Sequence, residues 1–249
     1  MAAPRPDLPD AIGACLFDMD GVLTQTAAVH AKAWAEAFDT LLRRRAQAGG
    51  PAFVAFDPKA DYTAHVDGKP REDGVRDFLA SRDITLPEGT PEDPPTAETI
   101  RGVGNAKNIK LLEVLARDGV AVFEGSVRFL HAARDAGLRT AVVSSSANTV
   151  AALTSAGLLE LMEERVDGTT IASEGIPGKP APDTFLLAAS RLGLEPAACA
   201  VFEDALAGVQ AGRAGNFGWV VGVDRAGQRE ALLEQGADIV VDDLAELLP

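Results

Sequence analysis

The chain has 249 residues, of which 47% are hydrophobic and 5% aromatic, with a formal net charge of −14. That length suits one large domain, or a core plus a smaller domain, with a core built mainly from Ala, Val and Leu. The acidic balance argues against nucleic-acid or membrane-surface binding, which need basic patches, and an anionic ligand would have to be met by locally placed Lys, Arg, backbone N–H groups or a metal ion.

The first apolar run, "IGACLFD", reads as a buried strand. Three helical patterns follow in "AAVHAKAWAEAFDTLLRRRAQA", "REDGVRDFLASR" and "ETIRGVGNAKNIKLLEVLARDG", with the Pro- and acid-rich "LPEGTPEDPPTAET" as a loop between the last two. From there strands and helices alternate. The strands are "RTAVVSSS", "ACAVFED", "GWVVGVD" and "DIVV"; the helices are "SVRFLHAARDAG", "ANTVAALTSAG", "PDTFLLAASRLG", "ALAGVQAGRAG" and "QREALLEQGAD". Several of these helices stop at Gly, a common terminator. The pattern predicts a doubly wound, parallel-sheet (Rossmann-like) α/β core over 1–25 and 119–249, interrupted after its first strand by a helical cap domain over 26–118. Cys15 and Cys199 fall within apolar segments and read as buried thiols of an intracellular protein. No apolar run approaches the roughly 18 residues of a membrane span. The opening "MAAPRPDLPDAIG" lacks the order of a signal peptide, so a soluble, cytoplasmic protein is expected.

In open α/β sheets ligands bind at the carboxyl ends of the strands. Four polar clusters fall at such ends or just before a helix: "DMDGVLT", "SSSAN", "GKPAPD" and "FEDALAG". Asp18 and Asp20 point the same way from a strand end, and Glu203 and Asp204 bring two more carboxylates. Converging carboxylates need a cation, and an all-oxygen donor set favours Mg²⁺. Ser144 can offer a hydroxyl beside helix-start N–H groups, and Lys179 a point charge for phosphate. Each cluster alone has a plainer explanation: turn residues for the Asp pair, an N-cap for Ser144, a solvated side chain for Lys179.

Taken in order, the four clusters resemble the motifs of the haloacid-dehalogenase-like superfamily of phosphotransferases, from about Ile12 to Leu248. The resemblance implies that Asp18 is a nucleophile forming a phosphoaspartate and that Asp20 is the general acid/base. It further implies that Mg²⁺ sits on Asp18, the backbone carbonyl of Asp20, and Glu203 or Asp204, and that Ser144 and Lys179 hold phosphoryl oxygens.

"FDMDGVLTQTAAVHAKAW" looks like the start of β-phosphoglucomutases, with Thr26, His30 and Trp34 at matching positions. "DGKPREDGV" resembles that family's cap loop, placing Gly68 and Arg71 at the substrate's non-reacting phosphate. Lys107 falls where the family has a second cap lysine, and Ser144, Ser146 and Asn148 match its "SSSAN" loop. The implied reaction interconverts β-glucose 1-phosphate and glucose 6-phosphate, with glucose 1,6-bisphosphate as primer and intermediate, in a monomer whose cap closes to exclude water. A sugar-phosphate phosphatase on the same scaffold is the alternative; it needs no second phosphate grip. Arg71 could instead pair with Glu72 or Asp73, Lys107 could lie on a solvated face, His30 could serve packing, and Trp34 could belong to the core. Two positions depart from the family: Gln25 stands where it usually has Asp, and Ala147 where some members have Lys. The cap is also longer, and Tyr62 and His65 in the added stretch read as loop packing.

Overall fold

A computed structural model describes residues 5–249. Its sheet has six parallel strands: β1 (Ala14–Phe17), β2 (Arg139–Val143), β3 (Glu164–Val166), β4 (Cys199–Glu203), β5 (Trp219–Val223) and β6 (Ile239–Val241), in the order β3-β2-β1-β4-β5-β6. Side chains alternate across the sheet. Cys15 and Phe17 of β1 enter one apolar layer with Phe129, Val142 and Phe202, while Ala14 and Leu16 enter the opposite layer with Val143, Phe185 and Val201. Both faces are covered by helices, so β1 and β4 are apolar almost throughout and fully buried. The first layer is closed by α4 (Glu124–Asp135) and α5 (Thr149–Ser155), the second by α7 (Asp183–Arg191) and α8 (Leu206–Ala214).

Strand order reverses between β1 and β4, whose registers run Ala14↔Cys199 to Phe17↔Phe202. That switch point opens a crevice at the carboxyl ends of the strands.

Two elements are additional to those expected from sequence. The edge strand β3 has only three residues, two of them charged, and so lacks the apolar run that marks a central strand. Helix α6 (Gly168–Glu174) follows it; Asp167 caps that helix by accepting from the N–H groups of Thr169 and Thr170. Helix α7 begins one residue after Pro182, which occupies the cap position and not the first turn.

By their internal contacts the residues divide into two compact units, Met1–Gln25 with Val120–Pro249, and Thr26–Gly119. The second unit contains α1 (Ala27–Gln47), a π-helical turn at Tyr62–Val66, α2 (Arg71–Ser81) and α3 (Ile100–Asp118). Its core gathers Trp34, Phe38, Phe56, Val75, Phe78 and Val103. Phe38 lies at the centre of an aromatic stack, 5.1 Å from Trp34 and 4.0 Å from Phe78 between ring centroids. The Pro-rich loop is pinned by side chains. Thr99 donates to Asp93 and caps α3, Asn105 donates to the carbonyls of Pro91 and Asp93, and Arg76 grips Glu88. The final helix, α9 (Arg229–Glu234), precedes β6. No helix of the described residues is long and apolar enough to cross a membrane. Cys15 and Cys199 are buried and unpaired, and burial pushes both thiols above their ordinary range.

Candidate active site

The loops after β1, β2 and β4, together with the segment before α7, meet at the carboxyl edge of the sheet. Asp18 continues the β1 ladder, its N–H donating to the Phe202 carbonyl at 2.9 Å. One oxygen from each of Asp18, Glu203 and Asp204 lies within 4.8 Å of the others, and all three residues are buried. Lys179 enters this acidic group. Its ammonium donates to Asp18 Oδ1 at 2.5 Å and to the Val143 carbonyl at 2.8 Å, and lies 2.6 Å from Glu203 Oε1. It also sits 4.9 Å from the centroid of the Phe185 ring. Lys179 is only 2% exposed, which excludes a solvated role.

Burial opposes the charged form of Lys179, but Asp18 and Glu203 outweigh it and raise its pKa. Burial, then the charge of Asp18, pushes the Glu203 carboxyl well up, against the pull of Lys179. Three carboxylates against one ammonium leave the cluster in deficit of positive charge.

Two glycines leave room for these carboxylates. A Cβ on Gly21 would stand 1.7 Å from Asp204 Oδ2, and one on Gly208 would stand 1.8 Å from Glu203 Oε1. Glu203 Oε2 accepts the Ala205 N–H at 3.0 Å, so both oxygens of Glu203 are engaged within the protein. Asp20 lies in the turn beyond Asp18, half-buried, and its carboxylate is outside the three-acid group.

Ser144 is buried at the end of β2, its N–H donating to the Val166 carbonyl and its Oγ accepting the Ser146 N–H at 3.1 Å. Ser146 Oγ accepts the Asn148 N–H at 3.1 Å. The loop is thus shaped by its own hydroxyls. The cap position of α5 is Asn148, without a side-chain cap bond, so Ser144 is not an N-cap.

The second unit gathers a separate cationic group. Lys107 on α3 is 5% exposed; its Nζ lies 3.2 Å from His30 Nδ1 and 5.1 Å from the centroid of the Trp34 ring. Burial, then Lys107 and Arg71, hold the His30 imidazole well below its ordinary pKa, so it is neutral near pH 7. Trp34 is buried and stacked on Phe38, as a core residue would be.

Arg71 opens α2, with its aliphatic chain against Gly104. The adjacent acids turn elsewhere: Glu72 pairs with Arg101 at 3.3 Å and Asp73 with Arg76 at 2.5 Å. Arg71 itself makes no hydrogen bond or ion pair among the described residues. Gly68, at φ +69°, turns the chain toward it. His65 lies in the π-helical turn, edge-on to Phe78. Gln25 donates to the Val122 carbonyl at 2.7 Å, tying together the outgoing and returning chains of the first unit.

The 224–228 loop after β5 is part of the site and was not among the four clusters. Arg225 donates to the Gly21 carbonyl at 2.8 Å, and Gln228 to the Asp204 carbonyl at 2.9 Å. The strand "GWVVGVD" ends there, and its position beside the fourth-motif strand is the signal that could have revealed it.

Residues 12–216 match the family described as haloacid dehalogenase-like hydrolase. The chain belongs to the haloacid dehalogenase-like hydrolases. Within that family it is β-phosphoglucomutase-like. It is 58% identical over 244 residues to a β-phosphoglucomutase of Mycobacterium tuberculosis, covering 97% of this chain and 93% of the relative. Identity to the validoxylamine A 7'-phosphate phosphatase of Streptomyces hygroscopicus is lower, 30% over 243 residues, covering 93% and 94%. The haloacid dehalogenase-like fold is shared with the crystal structure of a Clostridium difficile β-phosphoglucomutase at TM-score 0.73 and 23% identity, covering 95% and 93% of the two chains.

Proposed function

We propose that this protein is a β-phosphoglucomutase, interconverting β-glucose 1-phosphate and glucose 6-phosphate through an aspartyl phosphate on Asp18 and a glucose 1,6-bisphosphate intermediate. The observation that carries the reading is that the chain has two cationic sets. Lys179 is bonded into the acids of the first unit, while Arg71 and Lys107 in the second both bear on His30 and depress its pKa. A substrate with two phosphates needs two such sets; a simple phosphatase needs one. The near full-length identity to a β-phosphoglucomutase supports the same reading.

An Asp18 oxygen attacks phosphorus, and the bond from phosphorus to the sugar oxygen breaks. Asp20 protonates that leaving oxygen. In the return step Asp20 takes the proton from the 6-hydroxyl of β-glucose 1-phosphate, whose oxygen attacks the aspartyl phosphate, releases Asp18 and forms the bisphosphate again. Lys179 holds Asp18 in line and faces the phosphoryl oxygens, with the Ser144 and Ser146 hydroxyls, which accept from the loop amides and can donate their own O–H, and Asn148 alongside.

The donor set fits Mg²⁺: oxygen only, short of positive charge, with a glycine where a side chain would block Asp204. With both Glu203 oxygens engaged, we assign the metal to Asp18, Asp204 and the Asp20 carbonyl, and Glu203 to holding Lys179. When bound, Mg²⁺ offsets the charge that builds on the transferring phosphoryl group. Arg71, whose fork suits a phosphate, grips the non-reacting phosphate with Lys107, and neutral His30 accepts from that ammonium. Gly68 shapes the loop leading to Arg71, and Trp34 supports Lys107 from the core.

The test is product partition. The protein is incubated with Mg²⁺, β-glucose 1-phosphate and a trace of glucose 1,6-bisphosphate, and glucose 6-phosphate and free phosphate are followed together. Rapid glucose 6-phosphate with little free phosphate supports the mutase. Free phosphate without glucose 6-phosphate overturns it in favour of a sugar-phosphate phosphatase.

A further inference from the structure

The loop between β5 and α9 holds both acidic loops of the site from behind. Arg225 Nε donates to the Gly21 carbonyl at 2.8 Å, Nη1 donates to the Asp242 carbonyl at 2.6 Å, and the guanidinium lies over the Phe123 ring, 3.6 Å from its centroid. Gln228 Nε2 donates to the Asp204 carbonyl at 2.9 Å. The loop is itself fixed. Asp224 Oδ1 accepts from the N–H groups of Gly227 and Gln228 at 2.7 and 2.9 Å, and the Asp224 N–H donates to the Val241 carbonyl.

Gly21 is the point on which these contacts converge. Its φ of +92° puts the direction of a side chain straight at the Asp204 carboxylate. Its N–H, in the same peptide plane as the Asp20 carbonyl, donates to the Thr24 carbonyl at 2.8 Å. Its own carbonyl is taken by Arg225. With the peptides on both sides of Gly21 held, the direction of the Asp20 carbonyl is set. With its backbone held by Gln228, Asp204 keeps its carboxylate against Gly21.

We infer that Arg225 and Gln228 are positioning residues that fix the Asp20 carbonyl and the Asp204 carboxylate at the spacing Mg²⁺ requires, an inference that rests on the metal assignment above. Neither side chain is a ligand. Their action is through the groups they hold, as outer partners of metal ligands commonly act. Lysine cannot replace Arg225 in full, because an ammonium lacks the planar fork that reaches two carbonyls while covering the Phe123 ring.

The experiment titrates the full-length protein with MgCl₂ in a calorimeter, without substrate, and follows amide hydrogen exchange of the peptide containing Gly21 in the metal-free state. The variants are Arg225→Met, Arg225→Lys and Gln228→Ala. Arg191→Met serves as a control, since Arg191 bonds the Arg165 carbonyl and Glu174, away from the acidic loops. Arg225→Met and Gln228→Ala are expected each to weaken Mg²⁺ binding about 10-fold, with Arg225→Lys in between, and to speed exchange at Gly21. Arg191→Met is expected to lower the melting temperature and leave Mg²⁺ affinity within about twofold, since additivity holds for sites without shared partners. Unchanged affinity in Gln228→Ala and in a folded Arg225→Met, with wild type binding normally, overturns the inference; should Arg225→Met fail to fold, Gln228→Ala decides alone. Absence of Mg²⁺ binding by the wild type overturns the metal assignment and this inference with it.

Discussion

Lys179 Nζ and Asp18 Oδ1 stand 2.5 Å apart, although 161 positions separate them in the chain. The contact joins the segment before α7 to the end of β1, and it is buried, with Glu203 on the other side of the same ammonium. It shows how an acidic protein can hold the carboxylate proposed as nucleophile among other carboxylates. One cation is built into the cluster, and the remaining deficit is what the proposed Mg²⁺ would meet.

Replacing Lys179 by Met is therefore expected to abolish turnover and to destabilise the metal-free protein by about 3–5 kcal/mol near neutral pH, because two buried carboxylates lose their partner. The pH dependence has a definite sign. Burial, then Asp18, already raises the Glu203 pKa above its unfolded value, and loss of Lys179 raises it further. A group shifted upward on folding stabilises the fold below its unfolded pKa and loses that contribution as pH rises through the folded one. The deficit of Lys179→Met against wild type should thus grow from pH 5 to pH 8, as read by denaturant melts in chelator.

His30 gives the opposite kind of shift. Burial first, then Lys107 and Arg71, hold its imidazole well below the ordinary 6.5. Below that pH the unfolded chain takes up a proton that the folded chain refuses, so stability falls as pH drops from about 6.5 toward the folded value. His30→Gln should flatten this acid limb. Thermal melts of the two proteins between pH 7.5 and pH 5 will converge or cross if the account holds, and stay parallel if His30 is not responsible.

Arg71 makes no ion pair among the described residues, so Arg71→Ala should cost little stability. Its effect should appear in substrate use. Loss of charge-assisted bonds to the distal phosphate, at about 1.5–3 kcal/mol, corresponds to about a 10- to 160-fold drop in kcat/KM for the sugar phosphate. Hydrolysis of a small aryl phosphate should barely change. Equal losses on both substrates would make Arg71 a structural residue.

Much of the first unit was legible because the physics there is local. Apolar runs such as Ala14–Phe17 and Cys199–Glu203 are buried on both faces, and polar residues follow at their ends. Where an element owes its place to neighbours, the sequence carried less. Strand β3 is short, polar and at the edge, and α6 is set by the Asp167 cap more than by periodicity. Within the site, Asp18, Asp204, Glu203 and Lys179 sit on motifs with fixed spacing, whereas Arg225 and Gln228 reach it only through the strand order β1-β4-β5. The proposed preference for Asp204 over Glu203 as metal ligand likewise rests on the contacts of Glu203 with Lys179 and the Ala205 amide.

Gly21→Ala tests how tightly the acidic loops are built. The new methyl group would meet Asp204 at 1.7 Å in a backbone conformation that suits glycine. We expect a loss of about 1–3 kcal/mol in stability together with weaker Mg²⁺ binding, measured by denaturant melts and MgCl₂ titration. Wild-type values for both would mean that the loop is free to move.

The most direct measurement follows one phosphoryl group. The protein is loaded with radiolabelled glucose 1,6-bisphosphate in Mg²⁺, separated from free ligand, and chased with unlabelled β-glucose 1-phosphate. Label is expected on the peptide containing Asp18 before the chase and on sugar phosphate after it. Label on another peptide would contradict Asp18 as the nucleophile, and label leaving only as inorganic phosphate would contradict the mutase.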